Sequence, residues 1–503
     1  MLTYDDLAAD QLDCIDFILD GDDALVCADV GTGKTVIAET CISLWNDEAH
    51  SMVSRWLVLA PLLVADEVWR DEHENWEHLH DLTVAIATGS EQERIDAIES
   101  DAQVVVLNYE NLAWLMDRYP IGRKRVDGKT QRFSTLPFDG LVCDEVDKLK
   151  DVSSQRFKQF RNQIPYFQAR IGLTGTVLPN HLLELWGQVY IVDGGATFGR
   201  SYYKFRSEYF YPVDYKQYDW RPFPDTYETI LEKLGGLAYR LKAQGLPEVV
   251  VNEPHMLTLP ADIRPLYREL HSELYAIIED DDGKKRKLDA ANRAVLSGKL
   301  QQICAGFSYV EREVCTRCGG AVVLNEKGKR VCGTCDLLAK PEAVWHSYDK
   351  LDWLDAKLAE LAPEPVLVFY HFKEELAELQ RRYPGIRTLG SDVRKPIKRE
   401  NIRAWNANEV AQMALHPGSA GHGLNLQKGG ARHVAFLTWP WSGGMFKQVV
   451  GRLARRGALV DEVFVHGAAF ADTVDLDVIG TVTGRLDGLE TFLDDLYTWQ
   501  NAA

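Results

Sequence analysis

Apolar positions in the first third of the chain fall into short runs separated by segments of helical spacing. Ala24–Ala28, Trp56–Ala60, Thr83–Ala87, Val104–Leu107, Gly140–Cys143 and Arg170–Leu173 are too short for helices and read as buried strands. Val36–Trp45, Val64–Trp76 and Glu91–Ile98 carry helical character between them. Repeated strand–helix units predict a parallel sheet covered on both faces, with ligands at the carboxyl ends of its strands. From about Tyr211 to Tyr348 the alternation fails. Tyr211–Phe223 is aromatic and aperiodic, while Tyr227–Gln244 and Ile263–Cys304 read as helices, broken by an acidic turn at Asp280–Gly283. After Asp349 the alternation resumes, with strands expected at Val366–Tyr370, Ile386–Leu389, Ala411–Leu415, Val434–Thr438 and Glu462–Val465. Helices are expected up to Leu361 and over Glu374–Tyr383 and Lys395–Asn406. The pattern predicts an α/β protein of two lobes. Its expected spans are an N-terminal lobe at 1–210, a helical insertion at 211–310, a cysteine module at 311–345 and a C-terminal lobe at 346–503.

Composition adds limits to this picture. At 503 residues the chain is long enough for three or more domains, and its 46% hydrophobic content is that of a globular protein. No apolar run is long enough to span a bilayer, and the acidic stretch Met1–Asp23 argues against a targeting peptide. Five of the nine cysteines (Cys14, Cys27, Cys41, Cys143, Cys304) stand singly in apolar surroundings, and four form two pairs. Both groups suit a reducing cytosol. The net charge of −19 disfavours passive, non-specific binding to polyanions. It leaves room for local basic tracks at 118–132, 284–287 and 394–403, each of which is equally well read as a solvated loop.

The chemistry is concentrated in a few motifs. The strand Ala24–Ala28 runs into Gly31-Thr32-Gly33-Lys34-Thr35 and then into a helix. Such a loop closes backbone N–H groups around phosphate oxygens, with Lys34 reaching the β- and γ-phosphates and Thr35 available to magnesium. A second strand delivers Asp144 and Glu145, with Asp147 following. Asp144 is placed to hold magnesium and Glu145 to polarise an attacking water. In Gln448–Arg455, Arg452 and Arg455 lie three apart, and on a helix they would share a face. Two guanidiniums there can enter the phosphate site of the first lobe, although salt-bridged surface helices carry the same spacing. Leu173–Thr176 is a weaker hydroxyl-bearing turn, and Ala420–Gln427 is a glycine-rich loop containing His422 and Gly423. Cys315-x2-Cys318 and Cys332-x2-Cys335 are separated by thirteen residues. Four thiolates in two such knuckles fit closed tetrahedral zinc, a structural staple for a module too small for its own core.

Taken together the motifs resemble superfamily-two helicases, and among them the Swi/Snf-type ATPases, especially short stand-alone forms of phages and bacteria. Beyond the motifs above, the resemblance rests on Gln11 within L-A-A-D-Q, on Leu59-Ala60-Pro61 with Val68-Trp69 and Glu74-Asn75-Trp76, and on Asn108–Leu112. It extends to Leu173–Asn180 with Glu184-Leu185-Trp186, Lys299–Cys304, Ser419–Gln427 and Gln448–Gly457. Asp147 stands where the family often has His, Val177 replaces a usual Pro, and Ala454 replaces a frequent His. The resemblance implies two RecA-like lobes with a helical and zinc-ribbon insertion between them. It makes Gln11 the adenine-reading residue and puts Gly31, Thr32, Gly33, Lys34, Thr35 and Gly423 around ATP. It assigns catalysis to Lys34, Asp144, Glu145, Arg452 and Arg455, and magnesium to Thr35 and Asp144. The implied partner is DNA, more often duplex, gripped without regard to sequence, with replication, repair or recombination proteins as further partners. A monomer is expected, with no membrane association. Two other readings stay open: an RNA or forked-DNA helicase on the same engine, and an ATP-gated binding module that never turns over.

Overall fold

The computed structural model describes residues 1–502 except 30, 47–52, 128, 176–181, 214, 216–219, 243–244, 280–289, 311–312, 326–329, 340, 391–392 and 417–424. The strands, in chain order, begin with β1 (Asp23–Ala28), β2 (Trp56–Ala60), β3 (Val84–Ile86) and β4 (Val104–Asn108). A hairpin of β5 (Gly122–Val126) and β6 (Lys129–Phe133) precedes β7 (Gly140–Asp144) and β8 (Ala169–Thr174). A second small hairpin, β9 (Phe210–Pro212) and β10 (Trp220–Pro222), is followed by β11 (Ala238–Leu241). The first large sheet has the order β11-β1-β8-β7-β2-β4-β3. All its pairings are parallel.

The period-two alternation of each strand divides its side chains between two cores. Leu25 and Cys27 of β1 join Leu57, Leu59, Leu141 and Trp186 on one face. Ala24, Val26 and Ala28 join Ile37, Trp56, Val58 and Val142 on the other. Burial on both faces is why these strands read as near-continuous apolar runs.

The second large sheet is built from β12 (Glu248–Val251), β13 (His255–Leu257), β18 (Val366–Phe369), β19 (Arg387–Thr388), β20 (Gln412–Leu415), β21 (His433–Phe436) and β22 (Glu462–Phe470). Its order is β12-β22-β21-β18-β20-β19, with β13 also on β22, and again every pairing is parallel. Between β13 and β18 lie the helices Arg264–Glu279 and Ala290–Cys304, then β14 (Phe307–Val310), β15 (Val322–Leu324), β16 (Arg330–Cys332) and β17 (Glu342–Trp345). The antiparallel pair β14–β17 is a stem, and β15–β16 is the hairpin of the cysteine module at its end. The stem is seated on the second lobe by Phe307, fully buried, whose ring meets Trp345 and Phe372.

Several expected elements differ in detail. The helix expected over Val64–Trp76 is Leu62–Glu67, because the polar run Arg70–Asn75 offers nothing to hold a longer helix on the sheet. The helix expected to Gln244 ends at Leu234. Gly235 and Gly236 break it, and Ala-Tyr-Arg-Leu then pairs with the open edge of β1 as β11. Sheet membership therefore does not follow the expected span boundaries: β11 belongs to the first sheet, and β12 and β13 belong to the second. The final helix, Val474–Ala502, crosses from one lobe to the other. Val474, Val478 and Val482 lie in the second lobe's core, while Phe492, Leu493 and Leu496 lie in the first lobe's. Among the described residues, no helix is long and apolar enough to cross a membrane.

Candidate nucleotide site between the two lobes

The phosphate-type loop leaves the carboxyl end of β1 and turns into the helix Lys34–Trp45. Two residues make the turn possible: Gly31 and Gly33 sit at φ 86° and 84°, a left-handed backbone that only glycine adopts without strain. Neither position has room for a side chain. A Cβ on Gly33 would lie 2.4 Å from Nε2 of Gln11, and one on Gly31 would lie 2.5 Å from Cγ of Arg455. The loop is held from several sides. Thr32, fully buried, donates from Oγ1 to the carbonyl of Asp29 at 2.9 Å. Gln11 donates to the Thr32 carbonyl at 2.8 Å and accepts from the Ala8 N–H at 2.9 Å. Thr35 follows Lys34 in the first helical turn, half-buried.

The acidic pair arrives on β7, two strands away across β8. Lys34 Nζ stands 3.4 Å from Oε1 of Glu145. Burial works against the ammonium charge, but Glu145 and Asp144 outweigh it and hold Lys34 above its ordinary range. Burial pushes the Asp144 carboxyl up to about 6, although Lys34 opposes the shift. The same carboxylate accepts from Trp69 Nε1 at 3.0 Å. Asp147 is pushed up to about 7 by burial and by the charge of Glu145. Glu145 itself adopts φ 62°, uncommon for a residue with a side chain. Tyr109, fully buried, fixes that turn by donating to the carbonyls of Asp144 (2.9 Å) and Glu145 (3.2 Å).

The second lobe meets this loop with three arginines. The helix carrying Gln448 ends at Val450, so Arg452 and Arg455 are not on a helical face as their spacing suggests. The chain continues in tight turns, Arg452 N–H to the Val449 carbonyl and Ala454 N–H to the Val450 carbonyl, because the glycine at 451 caps the helix. The turns nonetheless bring the two guanidiniums together. Burial, then the neighbouring charge of Arg455, pulls Arg452 down to about 9, and Arg452 also faces Glu145. Arg455 donates to Oδ1 of Asn425 at 2.8 Å while its stem covers Gly31. Arg456 pairs with Asp10 of the first lobe. Gly423 lies outside the described residues, as does Thr176.

Two contributors carried no usable signal in the sequence. Arg240 of β11 holds Asp29 with Nη2 at 2.9 and 3.0 Å from its two oxygens, and reaches the Cys27 carbonyl at 3.3 Å. Asn425 orients Arg455 from within Ser419–Gln427, a segment that carries the resemblance but in which nothing singles this residue out. The arrangement fits a nucleoside triphosphate with a divalent cation. It combines a glycine cradle with one ammonium, a buried carboxylate pair that gains from a cation, and two guanidiniums from a separate body.

The four paired cysteines form a separate cluster far along the chain. Their Sγ atoms lie within 4.8 Å of one another, with Cys315–Cys335 at 3.7 Å, Cys318–Cys335 at 3.6 Å and Cys318–Cys332 at 3.4 Å. The N–H groups of Arg317 and Thr334 each point at a sulfur, Cys315 and Cys332, at 3.4 Å. Such a set is compatible with one tetrahedral zinc ion.

Residues 11–242 match the SNF2-related domain. Protein p41 of Acyrthosiphon pisum secondary endosymbiont phage 1 is 28% identical over 477 residues, 92% of each chain. The mouse DNA repair and recombination protein RAD54B is 24% identical over 190 residues, which make up 36% of this chain but only 19% of the mouse protein. A Sulfolobus solfataricus SWI2/SNF2 ATPase core solved with double-stranded DNA is 18% identical, covers 98% of this chain and 95% of its own, and superposes with a TM-score of 0.41. Residues 11–242 are thus matched as an SNF2-related domain, and similarity to the phage protein extends over nearly the whole chain.

Proposed function

We propose that the protein hydrolyses ATP in the cleft between its lobes and uses the cycle to move along duplex DNA. The observation that carries this reading is the packing of Arg455, from the second lobe, against Gly31 of the phosphate loop. A residue so placed senses a phosphate chain only while the lobes are together, which couples chemistry to domain movement. In this reading Gly31, Thr32, Gly33, Lys34 and Thr35 cradle the phosphates, and Gln11 reads the base from its position over the loop. Magnesium, which neutralises phosphate charge, would be held by Thr35 and Asp144. Glu145 orients the attacking water and accepts its proton. Arg452 and Arg455 stabilise the charge that spreads over the transferred phosphoryl group. The inter-lobe contact Arg456–Asp10 supports the same reading, since it too joins the second lobe to the first beside the loop.

DNA as the partner is supported by the SNF2-related match over residues 11–242 and by similarity to a protein named for DNA repair and recombination. Replication, repair or recombination is the proposed setting, in the cytoplasm of a bacterium or a phage-infected host. Zinc at Cys315, Cys318, Cys332 and Cys335 is proposed as a structural ion, because all four ligand positions are filled by thiols. The test is ATP turnover measured without nucleic acid and with single-stranded DNA, duplex DNA and duplex RNA. It is run beside displacement of a third strand from a triplex and unwinding of a fork. Stimulation by duplex DNA with triplex displacement and little fork unwinding is expected. Efficient fork unwinding favours a helicase, and turnover that no nucleic acid stimulates contradicts the reading.

A further inference from the structure

We infer that the β5–β6 hairpin is a second phosphate-backbone contact, separate from the cleft, that adds affinity for duplex DNA whatever the nucleotide state. The inference rests on the reading that this protein works on DNA. The hairpin carries Arg123, Lys124, Arg125, Lys129 and Arg132 against a single carboxylate, Asp127, in a chain of net charge −19. All five cations are exposed. Among the described residues no carboxylate pairs with any of them, whereas Arg118, just before the hairpin, is paired with Glu99 at 3.4 Å.

Register sorts the five onto two faces. Arg123 lies directly opposite Arg132, and Arg125 lies opposite Thr130, so three guanidiniums share one face. Lys124 and Lys129 are on the other, where Lys124 stands 5.9 Å over the ring of Phe133. Like charges directly opposed across a two-stranded ribbon disfavour that ribbon, which is marginal on its own. Folding alone gives no reason to keep them there, but a polyanion does. Arginine on an exposed ribbon is also suited to forked contacts with phosphate oxygens.

The hairpin is mounted firmly enough to present that face. Gln163, 2% exposed, donates to the Tyr119 carbonyl at 3.0 Å and accepts from Ser134 Oγ at 2.8 Å, clamping both arms at the base. Thr135 Oγ1 closes the base with a 2.8 Å bond to the Pro120 carbonyl. The helix Leu112–Arg118 carries the chain back from the carboxyl end of β4, and residues 134–139 lead into the start of β7. The hairpin therefore opens at the end of the sheet opposite the phosphate loop, so its role is grip and not chemistry.

The test is the triple variant R123Q/R125Q/R132Q in the full-length protein. Affinity for a short duplex DNA is measured across a salt series, beside ATP turnover and binding to polyglutamate. Each phosphate contact contributes about 0.9 to the slope of log affinity against log salt, so the slope should fall by up to about 2.7 and low-salt affinity by at least about tenfold. The DNA concentration for half-maximal stimulation should rise while the maximal rate stays within about twofold, the signature of lost uniform binding. K124Q/K129Q, on the opposite face, should have the smaller effect. Unchanged slope and affinity in the triple variant, with the wild type stimulated by DNA as usual, overturns the hairpin contact and leaves the motor reading standing. Loss of polyglutamate binding with DNA binding intact also overturns it, in favour of an acidic protein partner. A reduced slope in a protein that DNA never stimulates keeps the hairpin contact and defeats the motor reading instead.

Discussion

The two lobes are built on the same plan and bring unequal chemistry to the cleft. Each has a parallel sheet with a core on either face. The first lobe assembles its half of the site within itself, because β1 and β7 both flank β8 and put Lys34 and Glu145 3.4 Å apart. The second lobe's half consists of Arg452 and Arg455 on turns beyond a helix end, and it reaches its target only across the gap between the lobes. Binding and turnover are therefore expected to separate by lobe. Damage to the first lobe's loop should cost both, and damage to the second lobe's arginines should cost turnover alone.

The sharpest way to break this division is Lys34→Ala, which should remove ATP binding and turnover together. Its rate loss should exceed the roughly 10²–10⁴-fold expected when Glu145→Gln removes a positioned base. Glu145→Gln should retain ATP binding, measured by fluorescent-nucleotide titration. If both substitutions left turnover near wild type, the site would lie elsewhere. The helix Val474–Ala502 gives a finer test, because it joins the two cores. Leu496→Ala should destabilise the first lobe by about 2–5 kcal/mol, read from chemical denaturation. A shift confined to the second lobe's transition would contradict the bridging packing.

The cysteine module should be separable from both lobes. One zinc per chain is expected by elemental analysis, and Cys318→Ser should lose it while ATP turnover stays within about twofold, since a module so small would lean on the metal while the lobes have cores of their own. Metal-free protein prepared without chelator would contradict this. The smallest effect is a pH dependence that His466 gives the second lobe. Burial, and then the neighbouring His433, holds His466 down to about 4 from 6.5. It is bonded through Nε2 to His433 Nδ1 at 3.1 Å and through Nδ1 to Asn252 at 3.1 Å. A base that takes up protons less readily folded than unfolded gives stability that is complete above about 6.5 and lost as pH falls towards 4. His466→Gln should flatten melting temperature against pH over that window. An unchanged slope would remove His466 as its source.

What was legible in the sequence was what is contiguous. Gly31–Thr35 lies directly behind a buried strand, and Asp144–Glu145 ends another. The cysteine knuckles announce themselves by spacing within one short segment. The remaining features depend on contacts between distant segments, which periodicity does not encode. Arg240 could not be linked to Asp29 because β11 was hidden inside an apparent helix and is a strand only through pairing with β1. The spacing of Arg452 and Arg455 suggests a helical face, but the stop at Val450 depends on local turns after Gly451 that spacing does not encode. The same limit leaves 118–132 readable as a basic track or a solvated loop, without the hairpin register that sorts its cations onto two faces. It also left the crossing of the final helix unforeseen.

The central claim, that the second lobe completes the site only on closure, is tested most directly at Arg455. Turnover stimulated by duplex DNA and ATP affinity should be measured side by side in wild type, Arg455→Ala and Arg455→Lys. An arginine acting on the transition state contributes roughly 10³–10⁵ in rate. Arg455→Ala should therefore lose most of the stimulated rate while binding ATP nearly as before, and lysine, lacking the planar fork, should restore little. A stimulated rate in Arg455→Ala close to wild type, or a loss of ATP affinity as large as the loss of rate, would contradict the account.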